Sequence, residues 1–315
     1  MRDQLIRDVP DGIAHSARRG IVDAHHHLWD VRRNYHPWLR DEPPIPFRYG
    51  SYQAIRRNYL HADYLRDSAR YEMLGSVYVE TEWDPTDTTG EMAFVSELRR
   101  QGALPTVAVA HVPLDAPDAP DRLAAQCRHA FVRSIRHKPR ANPAPGMPQP
   151  GGMCDAHWQR GYAALAELGL RFDLQTPWWH LHEARELLER HTDTPIIINH
   201  AGLPSDRSRE GLDQWRSAVQ AISRWPQVFM KISGIGVPGQ PWTPDNNREV
   251  VETLIECWGV ERCMFASNFP VDSLCGSFDD IFGGFETLTA SLGTQAQDAL
   301  FRGNAIRIYD MELDA

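Results

Sequence analysis

A chain of 315 residues with 42% apolar residues, ten tryptophans and a formal charge of −9 can bury a sizeable core as one domain. It offers no basic face for phosphates, so neither nucleic acid nor an anionic membrane surface is an expected partner. The polar start MRDQLIRDVPDG has no apolar targeting core, no run approaches the roughly 18 apolar residues of a membrane span, and a cytoplasmic protein is expected.

After a polar extension over residues 1–20, eight short apolar or β-branched runs follow in chain order. They are IVDAH from Ile21, LGSVYVE from Leu74, TVAVAHV from Thr106, FVRSIR from Phe131, RFDLQ from Arg171, PIIIN from Pro195, VFMKIS from Val228 and CMFAS from Cys263. Each leads into a loop and an amphipathic stretch. Eight such units close a barrel, so the expected fold class is α/β, a (β/α)8 TIM barrel forming a single domain over residues 21–315. One helix ends at Gly169, a C-cap residue, and another opens at Thr243-Pro244, an N-cap followed by the proline of a first turn. Two insertions, Leu28 to about Ser51 and a Pro/Gly-rich stretch from His137, follow strands on the face where barrel enzymes hold their sites. Cys127, Cys154, Cys257, Cys263 and Cys275 are odd in number and contain no CxxC, a pattern of reduced structural thiols.

An open doubly wound sheet shares this rhythm, and Gly234, Gly236 and Gly239 match the dinucleotide fingerprint. Pro238 and the following QPWTPDN delay the helix that should hold the pyrophosphate, so the segment reads as a loop over a barrel mouth. HEARELLERH from His182 reads as a solvated helix face, with no H-E-x-x-H.

The strongest chemical signal is DAHHHLWD, Asp23 to Asp30. Residues two apart in a strand share a face, so His25 and His27 point together into the barrel while His26 points away. Two neutral imidazoles suit a borderline cation such as Zn²⁺, and a hydrogen-bonded structural cluster is the alternative. His200, at the end of PIIINH, adds a third imidazole at the same rim.

DAHHHLWD, the IRH of Ile135 to His137, NHAGLP and FASNFPVD together resemble the amidohydrolase-related superfamily, and most nearly its sugar-acid lactonase and 2-pyrone-4,6-dicarboxylate lactonase branch. The resemblance runs from about Gly20 to the C-terminus. It implies that His25, His27 and His200 surround the reacting atom, with a divalent metal, zinc by expectation, as cofactor. Asn268 departs from the pattern, standing where many relatives carry aspartate, and an amide cannot take a proton from water. A metal-bound water of lowered pKa could reduce the need for that base. Glu80 or Asp272 could instead replace it, Glu80 also as a metal ligand. Loss of hydrolysis is the third possibility.

The remaining rim groups describe a substrate. Arg136 is placed to anchor a carboxylate, with His137 and Glu82 beside it, which makes the expected partner a small anionic molecule. Arg133 is assigned to an outer salt bridge, and Lys231 is a weaker candidate than Arg136. Trp29, Tyr35, Trp38, Trp83, Trp178 and Trp179 crowd the loops at this rim and could floor a ring, Trp178-Trp179 being the most suggestive pair. The leading expectation is a lactone hydrolase acting on a carboxylated or sugar-acid molecule. Metal-dependent non-oxidative decarboxylation and a non-catalytic binding barrel stand behind it, and homo-oligomerisation is left open.

Overall fold

All eight apolar runs become parallel strands: β1 (Gly20–His26), β2 (Glu72–Val79), β3 (Val107–His111), β4 (Val132–Arg136), β5 (Arg171–Leu174), β6 (Ile196–Ile198), β7 (Val228–Ile232) and β8 (Cys263–Phe265). They pair in sequence order, β1 to β8, in the computed structural model, which describes residues 18–102 and 104–313. The expected polar extension lies outside these residues except for its last three, of which Gly20 already belongs to β1. Asn268 N–H donates to His25 O at 2.8 Å and His27 N–H to Phe269 O at 2.8 Å. These two bonds draw the segment after β8 against the end of β1, which closes the barrel and sets Asn268 beside the histidines.

Two apolar layers follow from the strand period. Val22, Ala24, Val77, Val79, Val107, Val109, Ile197 and Met264 pack with Ile308, Tyr309 and Met311 from the C-terminal segment, while Ile21, Tyr78, Ala108, Phe172 and Phe265 belong to the layer shared with the helices. Every strand thus buries both faces, as a parallel sheet requires. The predicted caps are in place: Gly169 has φ +64° beyond the helix Ala156–Glu167, and Thr243 Oγ1 accepts from Asn246 N–H ahead of Pro244–Trp258. No described helix is long and apolar enough to cross a membrane.

The strand β1 is irregular where it matters. Between Asp23 and His26 it advances three residues while β2 advances two, from Ser76 to Tyr78, a one-residue bulge. The bulge switches the alternation, so Asp23 and His26 both turn to the helix layer. There Asp23 accepts from Tyr64 OH at 2.9 Å and Ser267 Oγ at 2.6 Å, and the His26 ring stacks on Tyr64 at 4.4 Å and meets Ser76 Oγ at 2.9 Å.

Candidate active site

His25, His27 and His200 converge at the C-terminal mouth. The His25 ring lies 5.0 Å from that of His27 and 4.5 Å from that of His200, centroid to centroid. His27 Nδ1 meets the Val79 carbonyl at 2.8 Å. A carbonyl only accepts, so Nδ1 carries the proton and Nε2 is left with a lone pair. His200 Nδ1 meets Ser233 Oγ at 3.0 Å. Burial lowers the pKa of all three rings: His27 falls to about 3, with Arg136 adding to the effect, and His25 and His200 fall well below the usual range. They are neutral imidazoles at physiological pH, as ligand or acceptor chemistry requires.

Four positions lining the mouth adopt left-handed backbone without being glycine: Glu82 at φ +54°, His200 at +53°, Leu203 at +59° and Asn268 at +55°. Such conformations cost of order 1–3 kcal/mol each and gather at functional sites. Each follows a strand, β2, β6 and β8, and each lines a mouth cavity of about 270 Å³ together with His27, Arg136 and Lys138. Gly234 backs His200 so closely that an added Cβ would stand 2.6 Å from its Nδ1.

Asn268 donates through Nδ2 to Asp272 Oδ1, so what it presents to the cavity is an amide oxygen. Asp272 is buried behind it and also receives Tyr49 OH at 3.1 Å and Arg48 Nη2 at 3.4 Å. Asp272 thus supports Asn268 and does not itself line the mouth cavity.

Glu80 reaches the mouth, but both its oxygens are engaged. Oε1 receives Arg136 Nε at 2.5 Å and Oε2 receives the Glu82 N–H at 2.8 Å, while Arg136 Nη2 donates to the Glu80 carbonyl and Nη1 to Gln175 Oε1. Burial raises the Glu80 pKa, yet the Arg136 guanidinium, with Lys138 and the Glu82 amide, outweighs it and holds the carboxyl well below its ordinary range. A carboxylate so strongly acidic is a poor base. The same pair occupies the Arg136 fork expected to bind a substrate carboxylate.

Other expected groups lie elsewhere. Trp29 is buried behind His27, its ring near-parallel at 6.2 Å, and donates to Arg57 O. It is a wall of the site rather than a floor for substrate. Trp178 and Trp179 line an outer groove with Arg185 and Trp225, because the loop after β5 turns outward and Trp179 ties to Asn142 O at 3.1 Å. His137 is turned from the mouth by the Leu114 N–H, which its Nδ1 accepts at 3.0 Å. Arg133 donates to the Asp310 and Ala130 carbonyls rather than to a carboxylate. Lys231 is fully buried against Asp173 at 2.7 Å, in a network with Tyr309, Ser134 and Asn199.

Other contributors to the mouth come from the first insertion. Trp38 donates to Thr81 O at 2.9 Å and stacks on Phe47 at 5.8 Å, and Arg48 donates to Gly234 O at 3.1 Å. The position of that insertion after β1 was the only signal for Arg48. Gln175 carried none.

The donor set bears on a metal. As the side chains stand, no group of three or more His, Cys, Asp or Glu among the described residues is arranged to hold an ion. Both ring nitrogens of His25 are nevertheless buried without a partner, between two other imidazoles. An orphaned buried acceptor beside the His27 lone pair is what a divalent cation would satisfy. The histidines fit the group in kind; Glu80, committed to Arg136, does not join them.

An eight-stranded barrel with neutral imidazoles at the C-terminal mouth defines a barrel enzyme site. The family model described as Amidohydrolase matches residues 22–311, and the chain belongs to that amidohydrolase family. It is 34% identical over 292 residues to the uncharacterized protein y4mH of Sinorhizobium fredii, spanning 92% of this chain and 98% of that one. It is 26% identical over 301 residues to an L-fucono-1,5-lactonase of Burkholderia multivorans, spanning 91% and 95%. A crystal structure of a Burkholderia multivorans amidohydrolase with bound Zn superposes with a TM-score of 0.76 at 23% identity, covering 93% of this chain and 99% of that chain.

Proposed function

We propose that this protein is a hydrolase that opens the lactone of a sugar acid with water at the barrel mouth. The observation that carries this reading is the shared cavity of His27, His200 and Asn268, about 270 Å³ in volume. The similarity to a relative named L-fucono-1,5-lactonase supports it. The cations at the mouth are each matched: Arg136 by Glu80, Lys138 by Glu82 and Arg48 by Asp272. A balanced rim favours an uncharged, hydroxyl-rich lactone over the carboxylated one expected from Arg136, and the negative charge then arises on the product acid.

Held by His25, His27 and His200, a divalent cation, zinc by preference, would supply Lewis-acid polarisation and a water of lowered pKa. The protein's own groups do the rest. Val79 O and Ser233 Oγ orient His27 and His200, and the Asn268 oxygen accepts a hydrogen bond and so orients water without removing its proton. Trp38 and Phe47 give the ring an apolar wall. All five cysteines are free thiols, which supports a reducing cytoplasmic setting.

The test is metal analysis of the purified protein followed by proton release from a panel of sugar-acid 1,4- and 1,5-lactones. Turnover that His27→Ala abolishes in a folded protein is the expected result. Carbon dioxide release from unsaturated or aromatic acids, or ligand-induced stabilisation without turnover, would replace this reading with a decarboxylase or a binding barrel.

A further inference from the structure

A second cavity of about 400 Å³ adjoins the mouth and shares four of its residues, Trp38, Glu80, Glu82 and Lys138. The wall between the two includes the Lys138–Glu82 ion pair, whose half-exposed partners hold each other weakly enough to separate when a ligand enters. The remaining lining includes Trp83, Asp87, His111, Arg122, Gln126 and His137.

The polar groups of this cavity come with defined roles. Gln126 is buried; its Nε2 donates to Thr88 O at 2.7 Å, and its Oε1 is buried with no partner. Gln126 lines the cavity, and a donor entering there would satisfy this buried oxygen. His111 Nδ1 meets the Arg136 carbonyl at 3.0 Å, so it carries the proton and Nε2 accepts. His137 has the opposite tautomer, because its Nδ1 accepts from Leu114 N–H, leaving Nε2–H as a donor. Arg122 adds donors, Asp87 an acceptor, and Trp83 an aromatic surface.

We infer that this cavity is a second subsite, for a sugar ring joined to the lactone, so that the substrate is a glycosyl-substituted lactone. The inference rests on the lactonase reading above and extends it. Hydroxyl groups both donate and accept, which matches alternating donors and acceptors, and a pyranose ring has an apolar face for tryptophan. The charges are mixed in sign, so neither an anion nor a cation is selected. His137 and Glu82, expected from the sequence to touch substrate, do so here through its outer ring.

The experiment compares kcat/KM for cellobiono-1,5-lactone and glucono-1,5-lactone on the same preparation, in wild type, Gln126→Leu and Arg122→Leu. A ratio is indifferent to the fraction of folded protein. Wild type should prefer the two-ring lactone, and each variant should lower the ratio roughly tenfold, as expected for one lost hydrogen bond. A wild-type preference for glucono-1,5-lactone, or ratios unchanged in both variants, overturns the subsite and leaves the lactonase reading standing. Should neither lactone be hydrolysed, the wider panel of sugar-acid lactones decides the lactonase reading, and calorimetry with cellobionic acid decides the subsite: binding weakened by Gln126→Leu supports it, and no binding overturns it.

Discussion

Asn268 donates its amide Nδ2 to Asp272 Oδ1 across 2.7 Å, and this bond decides which end of the amide reaches the cavity. Burial raises the Asp272 pKa against the opposing pull of Arg48, Asn268 and Tyr49. A neutral donor at position 268 therefore stabilises an acid that has little water around it. A second carboxylate there would face the first at hydrogen-bonding distance, where two charges cannot both be kept cheaply.

Asn268→Asp should lose about 1–3 kcal/mol of stability at neutral pH in chelator-treated protein. The loss should shrink as the medium is acidified and the two carboxyls come to share a proton. Added zinc should restore stability if position 268 reaches the ion. Denaturant titrations at several pH values, with and without zinc, measure this; a variant as stable as wild type above neutrality in chelator would show that the two carboxyls do not meet.

Arg136→Ala leaves Glu80 buried and uncompensated, and should cost about 3–5 kcal/mol. The double variant Glu80→Leu with Arg136→Met should recover most of that, because no lone charge remains. Strictly additive losses in a double-mutant cycle would mean that the pair is not coupled as its geometry requires.

Gly234→Ala forces a side chain onto a residue at φ +60° and drives its Cβ to 2.6 Å from His200 Nδ1 and 2.8 Å from Arg48 Nη2. The backbone alone should cost about 1 kcal/mol, and displacement of His200 should cut turnover roughly a hundredfold. Steady-state kinetics beside a melting curve separate the two effects. Wild-type turnover would place His200 outside the reaction.

Glu91 offers a test by pH. Burial, with the nearby Glu80 charge, lifts its pKa from 4.5 to about 7 despite hydrogen bonds from Thr81 and Tyr78. A carboxyl raised in the folded state stabilises fully below its unfolded pKa, and that stability is lost as pH rises toward 7. Glu91→Gln cannot titrate, so wild type should lose its advantage over the variant as pH climbs through this window. A stability difference that stays constant across it would contradict the raised pKa.

Much of the architecture was legible because it depends on local pattern. Eight apolar runs mark eight strands, since a parallel strand buries both faces. Gly169 and Thr243 mark helix ends through conformation and hydrogen bonding within a few residues. The spacing of His25 and His27 put both rings on one face of β1, and the end of PIIINH brought His200 beside them.

Which partner each polar group takes was decided by the three-dimensional fold. Arg136 and Glu80 lie 56 residues apart in the chain, and nothing in the sequence of either strand shows that their side chains meet and so remove both from the roles they seemed suited to. The bulge in β1 sent Asp23 to Tyr64 and Ser267, and barrel closure brought Asn268 to His25. Hydrophobic periodicity is a property of neighbouring residues, whereas the charge state and availability of a buried group depend on whatever the closed barrel presses against it.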